Sequence, residues 1–231
     1  MTAATRLEEL LGLKTAPIGV TFLASPPAGV PRVSAAAPSS CTYWKRAAEG
    51  QTFYTEAADQ LNCPIGAYTH GVDMPAATQQ ELQGVVTTMV GLGYLRMAEV
   101  PGIPKRDKPF AVAVYAPLKK ATTTPDVVLV CGNARQIMLL EEAAGAAGVG
   151  GGAALMGRPT CAALPAAMQS GRGVASLGCI GNRVYTEMPD DELYYALPGK
   201  HVAAVVGKLD EIVNANRELE KYHRARVPAR V

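Results

Sequence analysis

No Cys-x-x-Cys pair occurs anywhere in the 231 residues, although the chain carries five cysteines. That absence excludes the knuckles by which zinc ribbons and ferredoxins are read from sequence. An excess of one charge is missing too. Twenty-two basic and 20 acidic residues are interspersed and leave a net charge of +2, which gives no electrostatic footprint for nucleic acid. The one basic cluster, Lys221–Arg230, reads as a solvated tail. No apolar run reaches membrane-spanning length, and Arg6, Glu8 and Glu9 interrupt the leucines of Met1–Leu13, so neither a membrane span nor a secretory leader is expected. No Ser-His-Asp order, paired-carboxylate motif or His-x-x-Glu metal helix is present. The glycine-rich stretch Gly148–Gly152 follows a helix and lacks the Walker Lys-Ser/Thr, so it reads as a connection between elements.

What is present suits a folded, soluble chain. Hydrophobic residues make up 48% and charged residues 18%, an ordinary globular balance, and the length fits one large domain. A cytoplasmic location is expected, where thiols stay reduced. That argues against a disulfide framework and leaves the cysteines as metal ligands, chemical groups or plain core residues.

Two stretches share a grammar. Ser40 precedes Cys41, a helix-like run follows to Glu49, Gly50 breaks it, Thr52–Tyr54 is β-like, and Cys63 closes the unit before Gly66. Thr160 precedes Cys161, a short helical run ends at Gly171, a β run follows, and Cys179 closes the unit before Gly181. The second cysteine follows the first by 22 positions in one unit and 18 in the other. We read residues 38–66 and 158–181 as a degenerate internal repeat within one domain, 1–231, in which Cys41, Cys63, Cys161 and Cys179 meet. Cys131 stands outside the pattern and reads as a core cysteine at a strand end.

Periodicity places the remaining elements. Helices are expected over Ala3–Leu11, Thr78–Gly91 (with Thr78 and Glu81 as a capping box), Ala134–Ala144 and His201–His223. Strands are expected over Ile18–Ala24, Phe110–Tyr115, Asp126–Cys131 and Leu193–Leu197. The stretch Pro64–Gly71 is too rich in glycine for a regular element. Strands and helices alternate irregularly, which predicts an α/β (or mixed α+β) domain of two pseudo-repeated halves around a mixed sheet.

The chemistry follows from the four cysteines. Ser40 and Thr160 suit N-cap positions, so Cys41 and Cys161 would lie in a first helical turn, where the dipole favours thiolate. Cys63 and Cys179 would lie in glycine turns whose N–H groups can donate to sulfur. Two alternatives stay open: a non-enzymatic small-molecule or haem-binding protein with buried cysteines, and a structural zinc site.

Leu11–Val20, the unit Cys41…Glu49-Gly50, Ala116–Leu118, Pro125–Val130 and Leu177–Arg183 together resemble the domain-of-unknown-function 169 family of bacteria and archaea. The resemblance covers nearly the whole chain, and the four cysteines fall on what looks like the family's cysteine pattern. It implies no activity. The iron–sulfur expectation comes from the thiols: a cytoplasmic protein with a cluster, of 4Fe–4S type, held by Cys41, Cys63, Cys161 and Cys179 and used for electron transfer or reduction of a small molecule. Its partner would be a small molecule or a redox protein, with a homo-oligomer allowed. Arg183 and His70 are candidate catalytic residues, the first for an anionic substrate and the second as a proton donor. Either has a plainer reading, as a surface salt bridge and as a solvated loop histidine. Tyr43, Tyr54 and Tyr68 are candidates to line the site.

Overall fold

A computed structural model describes residues 2–151 and 158–227. Gly152, the last residue of the glycine-rich connection, and Pro228–Arg230 of the basic tail lie outside the described residues. The chain opens with α1 (Ala3–Leu11), capped by Thr2 and stopped at Gly12 with φ 62°. Strand β1 (Ile18–Leu23) leads to α2 (Ser40–Ala48), β2 (Phe53–Glu56) and α3 (Pro64–His70). Next come α4 (Ala76–Gly91), a 3₁₀ turn at Met97–Gly102, and β3 (Val112–Pro117).

The second half runs β4 (Val127–Asn133), α5 (Ala134–Ala146), a 3₁₀ turn at Thr160–Ala162 and α6 (Ala163–Ser170). It closes with β5 (Val174–Ser176), α7 (Ile180–Thr186), β6 (Glu192–Pro198) and α8 (Val202–Arg224). Asn133 ends β4 and caps α5 in one step: its side chain accepts from Gln136 N while Gln136 reaches back to its N–H.

The fold is mixed α/β around one six-stranded sheet in the order β2-β3-β1-β4-β6-β5. Every strand pairing is antiparallel, in place of the expected mixed sheet. The unbroken apolar run Val127–Val130 reports burial on both faces. A central antiparallel strand between two helical layers needs that as much as a parallel one does. Alternation along the strands sends Val20, Tyr115, Leu129 and Ala196 into one core with Trp44 of α2 and Leu164 of α6. Val128, Val130, Tyr195 and Leu197 face a second core made with α1, α5 and α8. No described helix is long and apolar enough to cross a membrane.

Both cysteine units run helix, strand, helix, and their strands β2 and β5 are the two outer strands of the sheet. Two details differ from expectation. Pro64–Gly71 is a helix up to His70, with Pro64 in its first turn and Gly71 ending it at φ 70°. Helix α4 starts two residues before Thr78, so the Thr78/Glu81 pair lies inside the helix and caps nothing.

Candidate functional site

The trailing cysteines of the two units share a setting and the leading ones do not, so the expected pseudo-repeat is not confirmed. Cys41 is the second residue of α2, and Cys161 lies in the turn before α6; both are buried. Cys63 and Cys179 are the N-caps of α3 and α7, where a turn was expected. Each caps through sulfur: Gly66 N–H donates to Cys63 Sγ at 3.4 Å, and Asn182 N–H to Cys179 Sγ at 3.4 Å. The backbone N–H of Cys179 is tied in turn to Thr160 Oγ1 at 2.6 Å, which joins α7 to the turn carrying Cys161. The start of α2 is pinned to the sheet through Gln60. Ser40 Oγ donates to Gln60 Oε1 at 2.8 Å, and Gln60 Nε2 donates to Thr55 Oγ1 at 2.8 Å and to Tyr115 OH at 3.1 Å.

All four cysteines line one cavity of about 170 Å³. Its walls are otherwise mostly apolar, and α4 contributes Leu82, Val86 and Met89. No residue of α4 is buried, so its apolar stripe faces this space more than the core. The roof is part of one long excursion from α3 to β3. Its ends are clasped where Arg106 N–H donates to Thr69 O at 2.8 Å. A Cβ on Gly71 would come within 2.3 Å of Arg106 O, so the clasp needs glycine there. At the rim stands Arg158, its side chain 39% exposed, 4.0 Å from a Glu99 oxygen and over the Tyr94 ring at 5.1 Å.

The electrostatics run against thiolate. Burial pushes the thiols of Cys41 and Cys161 well above the usual range; at Cys41 the Asn182 amide opposes this more than either neighbouring thiol adds to it, and at Cys161 the neighbouring thiols reinforce it. The expected thiolate character of the helix-start pair is therefore corrected. A helix end supplies about 0.3–1 kcal/mol at exposed sites, and desolvation of a fully buried group shifts a pKa by up to about 3–5 units.

Among the described residues, no group of three or more His, Cys, Asp or Glu side chains is arranged to hold a metal ion. This overturns the expected four-thiolate iron–sulfur function and the structural zinc reading with it. Sharing a cavity wall is a looser condition than forming a ligand set. Two of the sulfurs are accepting backbone N–H groups, and the other two sit where ionisation is disfavoured.

The family model of DUF169, described as uncharacterised ArCR, matches residues 6–208. The chain belongs to DUF169. No curated protein and no solved structure matches it.

The remaining candidates of this DUF169 chain are placed as follows. Arg183 braces backbone, with Nη1 donating to Pro189 O at 2.8 Å and Nη2 to Leu177 O at 2.6 Å and Glu192 O at 3.2 Å. It also lies 3.7 Å from Asp190. His70 is no loop residue. It is wholly buried in α3, edge-on to Phe22, and neither ring nitrogen has a partner among the described residues. Burial, then the Arg106 charge, lower its pKa to about 4. His70 does not line the cavity; of the three tyrosines proposed for the site, Tyr68 does. Cys131 faces Glu192, Sγ to Oε2 at 3.4 Å, and burial followed by that carboxylate pushes its pKa up to about 12.

Sequence reasoning missed Arg158, Asn182 and Tyr94 as cavity residues. Arg158 directly precedes the Pro159-Thr160-Cys161 stretch and Asn182 lies inside Leu177–Arg183, so both were next to the signal. Nothing local marks Tyr94, which reaches the site only because the excursion folds back.

Proposed function

We propose that this protein binds a small, largely apolar molecule reversibly in the cavity walled by Cys41, Cys63, Cys161 and Cys179 and roofed by α4. The observation that carries this reading is the cavity itself, about 170 Å³ and lined chiefly by apolar groups and thiols. An apolar cavity of roughly 150 Å³ stays dry and accepts benzene, so this one is large enough for a single ring or a short branched chain. Cys41 and Cys161, held neutral by burial, act as small polarizable wall groups. The uncovered stripe of α4 supplies the side chains that a ligand would bury.

Thermal unfolding with toluene as the probe tests the reading. Saturation to tenfold above the dissociation constant stabilises the folded state by about 1.4 kcal/mol, a rise of about 3–6 °C for a chain of this size. Met89→Trp, which fills the cavity, should abolish that rise while leaving the circular dichroism spectrum unchanged. Equal rises in both proteins, or none in the wild type, would overturn the assignment. A sharp near-ultraviolet band in the protein as isolated would assign the cavity to haem instead.

A further inference from the structure

The cavity surface is almost wholly apolar, and the one charge among its lining side chains stands at the rim. Of the described residues that line it, Arg158 alone carries charge; the others offer apolar side chains, thiols, hydroxyls and the Asn182 amide. Arg158 stands at the rim, 39% exposed. A charge held there keeps part of its hydration, so pairing with it avoids the full penalty of a buried ion pair.

Its present partner is a weak one. The nearest Glu99 oxygen is 4.0 Å away. Glu99 is already engaged by Arg96, with Oε2 accepting Arg96 N–H at 2.8 Å and Oε1 accepting Arg96 Nη2 at 3.0 Å. The Tyr94 ring, 5.1 Å from the Arg158 guanidinium carbon, holds that charge near the entrance by a cation–π contact. A planar fork of donors at the mouth of an apolar cavity matches a carboxylate, which guanidinium binds through two parallel hydrogen bonds. A single cation suits a single negative charge, and a doubly charged phosphate ester would leave charge uncompensated beside an apolar wall.

We propose that the ligand is a small monocarboxylate with an apolar body, its carboxylate on Arg158 and its body against Leu82, Val86 and Met89. This rests on the cavity-binding reading above and adds the head group to it. The aromatic or short branched body sets the size limit, and Arg158 sets the sign of the charge.

The test uses three probes that share a ring and differ in head group: benzoate, toluene and benzylamine. Calorimetry or thermal shift is run on the wild type, Arg158→Gln and Glu99→Gln. Benzoate should bind the wild type more tightly than benzylamine. Arg158→Gln should weaken benzoate by roughly tenfold to a hundredfold, the range of a charge-assisted hydrogen bond, and leave toluene unchanged. Glu99→Gln, which releases Arg158, should tighten benzoate by roughly twofold to fivefold, as for an exposed ion pair. Toluene binding with no preference for benzoate over benzylamine, or with benzoate unaffected by Arg158→Gln, would overturn the carboxylate assignment and leave the cavity reading intact. Failure of all three probes to bind the folded wild type would overturn the cavity reading itself.

Discussion

The most exposed liability at the residue scale is His70. It is wholly buried, its two ring nitrogens without a partner among the described residues, and its pKa is lowered from 6.5 to about 4 by burial and by Arg106. Between those values the unfolded chain binds a proton that the folded chain refuses, so stability rises with pH across that window. Acidifying from pH 7 towards 4 should remove up to about 3 kcal/mol through this residue, with no further loss below 4. Urea unfolding at pH 7, 5.5 and 4.5 measures it, and His70→Leu should flatten the slope. A variant with the wild-type slope would show that carboxylates dominate. The cysteines obey the same burial rule. At pH 8 the native protein should label slowly with iodoacetamide at Cys41, Cys131 and Cys161, since burial raises all three thiols. Peptide mapping of the labelled protein reads the three sites separately, and rapid native labelling at any of them would contradict the burial argument.

Two glycines separate packing from propensity at the scale of elements. A Cβ on Gly66 of α3 would meet Ser40 Oγ at 2.0 Å, and that hydroxyl is committed to Gln60. Gly66→Ala should therefore cost roughly 1–3 kcal/mol and disturb the Cys63 wall. A Cβ on Gly84 of α4 meets nothing within 4 Å, so Gly84→Ala should stabilise by roughly 0.5–1 kcal/mol. Chemical denaturation of the two variants checks both signs. Gly66 also explains why α3 was illegible. Its glycine reads as a helix breaker, yet it is there so that two helices can approach across Ser40. Helices α1, α5 and α8 and the strands were legible to within a few residues because their apolar spacing answers to the two cores directly. The capping pair Thr78/Glu81 misled because the chain extends the helix back to Pro75 without using it.

Whole-molecule geometry decided what the sequence left open. Matching contexts drew attention to four cysteines that line the cavity, but a cavity has no local signature. It exists because α4, read correctly as a helix, lays its stripe over a space between α3 and α7. Arg158 and Tyr94 meet there across 64 positions of chain. The antiparallel order of the sheet was hidden for a related reason, since an apolar run reports burial and says nothing of its neighbour's direction. Hydrogen exchange should grade the molecule accordingly. Amides of β4 and β6, wholly interior, should exchange slowest, and those of α4, with no buried residue, should exchange fastest among the longer helices. Protection of α4 equal to that of β4 would mean that the roof is bound more firmly than its packing shows.

The clasp between Thr69 and Arg106 has a bearing on how such a binding site can change. Because the excursion leaves and rejoins the body at one point, a change in its length alone alters the entropy of closing a loop, and doubling or halving it changes that by about 0.6 kcal/mol. The roof is in effect a cassette: its contents can be rewritten with little strain on the sheet below. Replacing residues 74–103 with a short glycine–serine bridge should leave cooperative unfolding in place while binding of toluene disappears. Chains that share this sheet could then differ in the size of what they hold by varying the cassette alone.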